Sequence, residues 1–123
     1  MKKVIATENA PKAVGPYSQA IEVNGTLYIS GQIPVNPADG QVQTEITAAA
    51  HQSLKNIGAI LKEAGMTYDN VVKTTVLLAD IADFKAVNEV YAEYFTGDKP
   101  ARACYQAAAL PLGVKVEIEA IAV

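Results

Sequence analysis

The last ten residues, VKVEIEAIAV, constrain this chain more than any other stretch. Val114, Val116, Ile118, Ala120 and Ala122 fall on one side, while Lys115, Glu117 and Glu119 begin the other; this period of two marks a β-strand with one buried face. A lone strand cannot bury that face, so the rest of the chain must supply a sheet and a layer to cover it. In AIEVNGTLYISGQIP the pair Asn24-Gly25 separates two short apolar runs, which predicts a two-residue hairpin turn between strands at Ala20–Val23 and Thr26–Ser30. A short strand is expected near Lys3–Ala6, and the β-branched NVVKTTVLLAD reads as another. RACYQAAAL is rich enough in alanine to suit a helix, but its flanking Pro100 and Pro111 and its limited length favour a strand.

Two helices complete the pattern. Ile46, Ala50, Leu54, Ile57, Leu61 and Ala64 recur at steps of three and four within Thr44–Ala64, and Gly65 supplies a left-handed stop. DFKAVNEVYAEYF places Phe84, Val87, Tyr91, Tyr94 and Phe95 along one stripe, with Asp83 as the expected N-cap. Six short strands and two one-sided helices predict an α+β fold, a six-stranded mixed sheet with both helices packed on one face. The other face is too apolar to be fully solvated: the final strand ends in AIAV, and TTVLL is apolar on both sides. Subunits are therefore expected to pack sheet against sheet.

The 123 residues fit one domain, 1–123, of which half are hydrophobic, with no linker, repeat or low-complexity run. The N-terminal MKKVIATENAPKAVGPYS lacks the apolar run of a signal peptide, and no stretch approaches the roughly 20 apolar residues of a membrane span, so a cytoplasmic protein is expected. One cysteine cannot form an intrachain disulfide, in keeping with a reducing compartment. The net charge of −3 argues against nucleic-acid or anionic-membrane partners, which are met by clustered Lys and Arg. One histidine and one cysteine cannot build a zinc site of the Cys/His type, and no phosphate-binding glycine loop or nucleophile elbow is present. His51, within the first helix, reads as a boundary or surface residue.

The remaining candidates are polar groups in apolar company. Asn88 sits one helical turn after Phe84, close to the buried stripe, where a structural amide is the plainer reading. Ser30-Gly31-Gln32 ends the second hairpin strand, where a glycine permits close approach of a backbone or ligand. Tyr17 follows Pro16 in a loop and suits a lid or a packing role. Glu117 would ordinarily be a solvated strand residue. Arg102 and Cys104, two apart at the head of a strand, share a face. Arg102 is either a solvated charge or a residue that awaits an anion.

Taken together, these blocks resemble the Rid family of enamine/imine deaminases, also called the YjgF family. AVGPYSQAI, LYISGQIP, DFKAVNEVYAEYF and PARACYQAAALPLGVKVEIEA stand in the family's order with near-correct spacing, and the resemblance covers essentially the whole chain. It implies a chorismate-mutase-like fold and a homotrimer, a trimeric barrel whose sites lie in clefts between neighbouring subunits. It also implies hydrolysis of 2-aminoacrylate and 2-aminocrotonate, or their imine tautomers 2-iminopropanoate and 2-iminobutanoate, to 2-keto acids and ammonia, with no cofactor and no metal. Arg102 matches the arginine that binds the substrate carboxylate, and Glu117 the glutamate near the attacking water. Cys104 matches a cysteine whose neighbourhood contacts the substrate nitrogen or that water. Ser30 and Gly31 match the block lining the cleft, Tyr17 the loop tyrosine that closes it, and Asn88 a supporting asparagine. Two rivals remain: a 2-keto acid or small-carboxylate binding regulator without turnover, and an RNA-cleaving or translation-inhibiting protein, against which the acidic balance weighs.

Overall fold

The computed structural model describes residues 1–123. The hairpin forms where Asn24-Gly25 predicts it. Both turn residues have positive φ, 50° and 79°, the conformation a two-residue turn of this kind requires. The turn joins β2 (Ala20–Val23) to β3 (Thr26–Gln32), and β1 (Lys3–Ile5) adds to the outer edge of β2. After α1 (Ile46–Glu63) come β4 (Val71–Leu78), α2 (Phe84–Tyr94), β5 (Ala101–Gln106) and β6 (Val116–Ala122). Short 3-10 turns at Tyr68–Asn70, Ile81–Asp83 and Pro111–Gly113 bend the connections.

The sheet order is β1-β2-β3-β6-β4-β5. The alternating terminal strand β6 lies inside it, antiparallel to both β3 and β4. β4 and β5 are parallel, an arrangement that needs a crossover, and α2 is that crossover. The alanine-rich segment is a strand because β4 offers it a full ladder from Lys73↔Ala101 to Leu78↔Gln106.

Both helices cover one face of the sheet. Leu54, Ile57, Ile60 and Leu61 of α1 and Val76, Leu78, Val116 and Ile118 of the sheet are fully excluded from solvent. Burying a side chain of this size contributes about 1.5–3 kcal/mol. Gly65 ends α1 with a φ of 76°; its N–H and that of Met66 reach back to the carbonyls of Lys62 and Leu61. The uncovered face presents Tyr28 and Tyr105, about half exposed, with Leu77, Glu117, Glu119 and Ile121 beside them. No helix is long and apolar enough to cross a membrane.

Two local expectations are corrected. Asp83 is not a side-chain cap: its backbone is already helical and its carboxylate makes no capping bond. Asp80 caps instead, accepting from the Ala82 N–H at 2.9 Å, because a 3-10 turn precedes α2 and moves the start of the helical run upstream. Phe84 does not join the core, where Val87, Val90 and Tyr91 carry the buried stripe. Phe84 opens the first turn of α2 and remains 39 % exposed, because it stands over the edge strand β5, beyond which the sheet ends.

Candidate active site

The position of Arg102 follows from register. It pairs with Thr74, and Cys104 with Val76; Thr74 and Val76 are buried under the helices, so Arg102 and Cys104 share the helix-covered face. Because β5 is an edge strand, the arginine emerges where that cover thins. α2 meets it with Phe84, Asn88 and Tyr91, which lie at i, i+4 and i+7 on one face of the helix. Arg102 donates from Nη1 to Asn88 Oδ1 at 2.8 Å. Its guanidinium carbon stands 4.9 Å from the centroid of the Tyr91 ring and 5.5 Å from that of Phe84, within the range of cation–π attraction. No carboxylate of the chain pairs with it. A half-buried guanidinium with one neutral partner keeps a donor pair for an anion, and its flat fork suits a carboxylate. Burial pushes the Cys104 thiol up, against the pull of Arg102, so the sulfur stays protonated near neutral pH and is a poor nucleophile.

A second cluster lies on the open face. Glu117 pairs with Leu77, which pairs in turn with Tyr105. Between the pairs Ile29↔Ala120 and Gln32↔Ile118, two residues of β3, Ser30 and Gly31, oppose Glu119 alone. This is a β-bulge, a device that re-aims the backbone beside functional sites. The Glu117 side chain lies over Gly31: a Cβ added there would come within 2.9 Å of its carboxyl carbon. Burial, chiefly, and then the neighbouring Glu119 push the Glu117 carboxyl above its ordinary value.

Ser30 Oγ donates to the Ser18 carbonyl at 2.6 Å, and its N–H to the Gln19 carbonyl at 2.9 Å. Tyr17 and Ser30 line one shallow hollow with Pro16, Ser18 and Tyr28. The loop that carries Tyr17 is organised by the buried amide of Gln19. This amide accepts from the Thr7 N–H at 2.7 Å and donates to the carbonyls of Thr7, Ala10 and Pro11 at 3.1, 3.2 and 2.7 Å.

The sequence candidates thus separate into two groups. Arg102, Asn88 and Cys104 gather at the β5 edge beneath α2; Tyr17, Ser30, Gly31 and Glu117 gather on the open face around the bulge. Through β4, Arg102 is level with Ala120, three positions along β6 from Glu117 and on the opposite face. Two strand spacings, about 10 Å, add to that separation. His51 stands apart from both groups, with Nδ1 2.7 Å from the Tyr94 hydroxyl and Nε2 3.9 Å from Glu93. No three of the histidine, cysteine and carboxylate side chains converge as a metal site.

Sequence reasoning missed Gln19, Phe84 as an exposed wall and Tyr91 as a neighbour of the guanidinium. The i, i+4, i+7 spacing of Phe84, Asn88 and Tyr91 was the available signal. For Gln19 there was none, since four partners spread over a loop leave no periodic trace.

Comparison with known proteins places this geometry among close relatives. The family model described as "Endoribonuclease L-PSP" matches residues 7–123. A mouse protein named 2-iminobutanoate/2-iminopropanoate deaminase is 60% identical over 124 residues, covering 100% of this chain and 92% of the relative. One of the same name from Escherichia coli K12 is 50% identical over 126 residues, covering 100% and 98%. Among solved structures, the Rid-family protein YyfA from Yersinia pestis superposes with a TM-score of 0.97 at 52% identity, covering 99% of this chain and 98% of that one. TdcF from E. coli, solved with bound serine, superposes at 0.96 with 43% identity and 98% of each chain covered.

Proposed function

The chain belongs to the Rid, or YjgF, family, and from that premise we propose how its residues carry out the hydrolysis of 2-imino acids. It converts 2-iminobutanoate and 2-iminopropanoate, or the enamines that tautomerise to them, into 2-keto acids and ammonia, the activity for which its mouse, human and E. coli relatives are named. The observation that carries the site assignment is the half-buried guanidinium of Arg102, which has one neutral partner and no carboxylate.

Arg102 binds the substrate carboxylate through two parallel N–H···O bonds, fixing the orientation of the imine carbon next to it. That carbon is already electrophilic, so the protein has only to place a water and move a proton. Glu117 takes a proton from the water as its oxygen adds to the carbon of the protonated imine, giving a neutral tetrahedral carbinolamine. Return of that proton to nitrogen makes an ammonium leaving group, and as the C–N bond breaks the hydroxyl loses its proton to Glu117, releasing ammonia and leaving the ketone. The raised Glu117 carboxyl suits both steps, because a group that titrates nearer the working pH gives a proton back more readily. Cys104 contributes through its backbone and its small volume, Ser30 and Gly31 form the wall around the carboxylate, and Tyr17 closes the cleft.

Arg102 and Glu117 cannot meet within one chain. The site is assembled between neighbouring subunits of a homotrimer, the β5 edge of one against the open sheet face of the next. Support comes from the opposed orientation of the two residues and from the half-exposed Tyr28 and Tyr105 on the open face. Such rings are enriched where proteins associate.

The test couples a serine or threonine dehydratase to the purified protein and follows trapping of the free imine by semicarbazide. Wild type is expected to suppress the semicarbazone and Arg102→Ala to lose that effect with its oligomer intact. If neither protein suppresses the semicarbazone while 2-keto acids bind wild type alone, the carboxylate-binding reading replaces this one. The family model's description points instead to RNA cleavage. RNA binding that weakens steeply with salt, together with cleavage lost in Arg102→Ala, would favour that reading.

A further inference from the structure

Thr74 is a buried polar residue, 1 % exposed, halfway along β4, the strand next to the sheet's β5 edge, and the proposed mechanism does not use it. Its Oγ1 lies 2.7 Å from the Tyr91 hydroxyl. Its Cα partner across the β4–β5 ladder is Arg102 itself. The ring of Tyr91 is in turn the nearer of the two aromatic faces against the guanidinium, at 4.9 Å. A closed circuit results: from Arg102 to Asn88, along one face of α2 to Tyr91, from its hydroxyl to Thr74, and across the ladder back to Arg102.

We propose that the Thr74–Tyr91 hydroxyl pair is a positioning device for Arg102, locking α2 to β4 so that the guanidinium presents its free N–H pair in one orientation. The inference rests on the reading of Arg102 as the carboxylate anchor. A long, flexible arginine loses rotamer entropy when it is held in one orientation, and an anchor whose rotamer is fixed in advance does not lose that entropy when substrate binds. Asn88 restrains one guanidinium nitrogen and the Tyr91 ring restrains the plane. Neither restraint holds unless α2 keeps its depth and rotation against the sheet, and among the contacts of Tyr91 the hydroxyl bond to Thr74 is the directional one. The apolar contacts of Val87 and Val90 resist separation of helix and sheet but resist sliding less, because hydrophobic burial has no direction.

The test is a cycle of Thr74→Val, Tyr91→Phe and the double variant. Deaminase kinetics, binding of a 2-keto acid product and thermal stability are read on each. Each single variant leaves one buried hydroxyl unpaired, so both are expected to lose stability, and the double variant to regain much of it because both unpaired groups are gone. Affinity is expected to behave differently. KM for the imine and Kd for the keto acid should rise about threefold to tenfold in all three variants, with no recovery in the double, while kcat changes by less than about twofold. Thr74→Ser, which keeps the hydroxyl, should restore wild-type affinity. Affinity that recovers with stability in the double variant, or that never changes, overturns the proposal and leaves the hydroxyl pair a packing element. If wild type and Arg102→Ala do not differ in these assays, the failure lies with the anchor itself.

Discussion

The carboxyl group of Glu117 occupies the space where a side chain at Gly31 would begin. A Cβ there would come 2.9 Å from the carboxyl carbon and 3.1 Å from Cγ. The β-bulge brings strand and side chain this close, and glycine permits it. Gly31→Ala should therefore push Glu117 aside without unfolding the sheet. A displacement of about 1 Å is enough to lower turnover by about 100-fold. Steady-state kinetics and circular dichroism together check this. Activity close to wild type with an unchanged spectrum would show that the Glu117 position is immaterial.

As the proposed proton-transfer group, Glu117 should link catalysis to pH. Burial raises its carboxyl above the ordinary value in the folded protein, so the folded state disfavours the ionised form. That cost is absent below the unfolded-state pKa, where both states are protonated. It grows as pH rises and is fully present above the raised folded-state pKa. Glu117→Gln should accordingly raise the melting temperature at neutral pH, with the gain vanishing in acid, and should lower kcat more than it changes KM. In wild type the acid limb of the rate profile should fall at a higher pH than an exposed glutamate would give. A pure binding defect in Glu117→Gln would count against proton transfer by this residue.

The opposed faces of Arg102 and Glu117 predict complementation between subunits. Arg102→Ala and Glu117→Gln are each expected to be nearly inactive. Subunits of the two variants, unfolded together and refolded at equal amounts, should assemble rings in which some interfaces combine an intact arginine with an intact glutamate. Random mixing in a ring with head-to-tail interfaces gives that combination at about one interface in four, hence about a quarter of wild-type activity. A mixture as inactive as its parents would place both residues in the same subunit's site.

Gln19 should behave as an organiser of the loop that presents Tyr17. Its amide oxygen accepts one bond and its two N–H groups are shared among three carbonyls, all from the backbone of preceding residues. Gln19→Glu keeps the size of the side chain but removes the donors and sets a carboxylate against the carbonyls of Thr7, Ala10 and Pro11. We expect stability to fall by about 2–4 kcal/mol, as for other broken buried polar networks. Hydrogen exchange should speed up through residues 6–19, and KM should rise. Exchange that speeds up evenly over the whole chain would refute a local role.

The sequence by itself determined the elements and the identity of the polar candidates. The Asn24-Gly25 turn, the two helical stripes and the alternation of 114–123 are local patterns, written by the period at which side chains return to one face, and they formed as that period requires except at Phe84, which stays outside the buried stripe. The motif blocks likewise singled out Arg102 and Glu117, but only through the resemblance to the Rid family, since taken singly the arginine reads as readily as a solvated charge and the glutamate as a solvated strand residue. Only the tertiary structure decided strand order, the placement of β6 between β3 and β4, and the separation of Arg102 from Glu117. Those outcomes depend on pairing between strands far apart in the chain. Register across a ladder, rather than spacing along the sequence, sets which residues share a face. Phe84 and Asp83 show the same limit on a small scale: a stripe and a cap were legible, but the 3-10 turn and the sheet edge that moved them belong to the surroundings. Gln19 and Thr74 were invisible for the same reason, since a buried polar side chain acquires its meaning from partners that only folding brings to it.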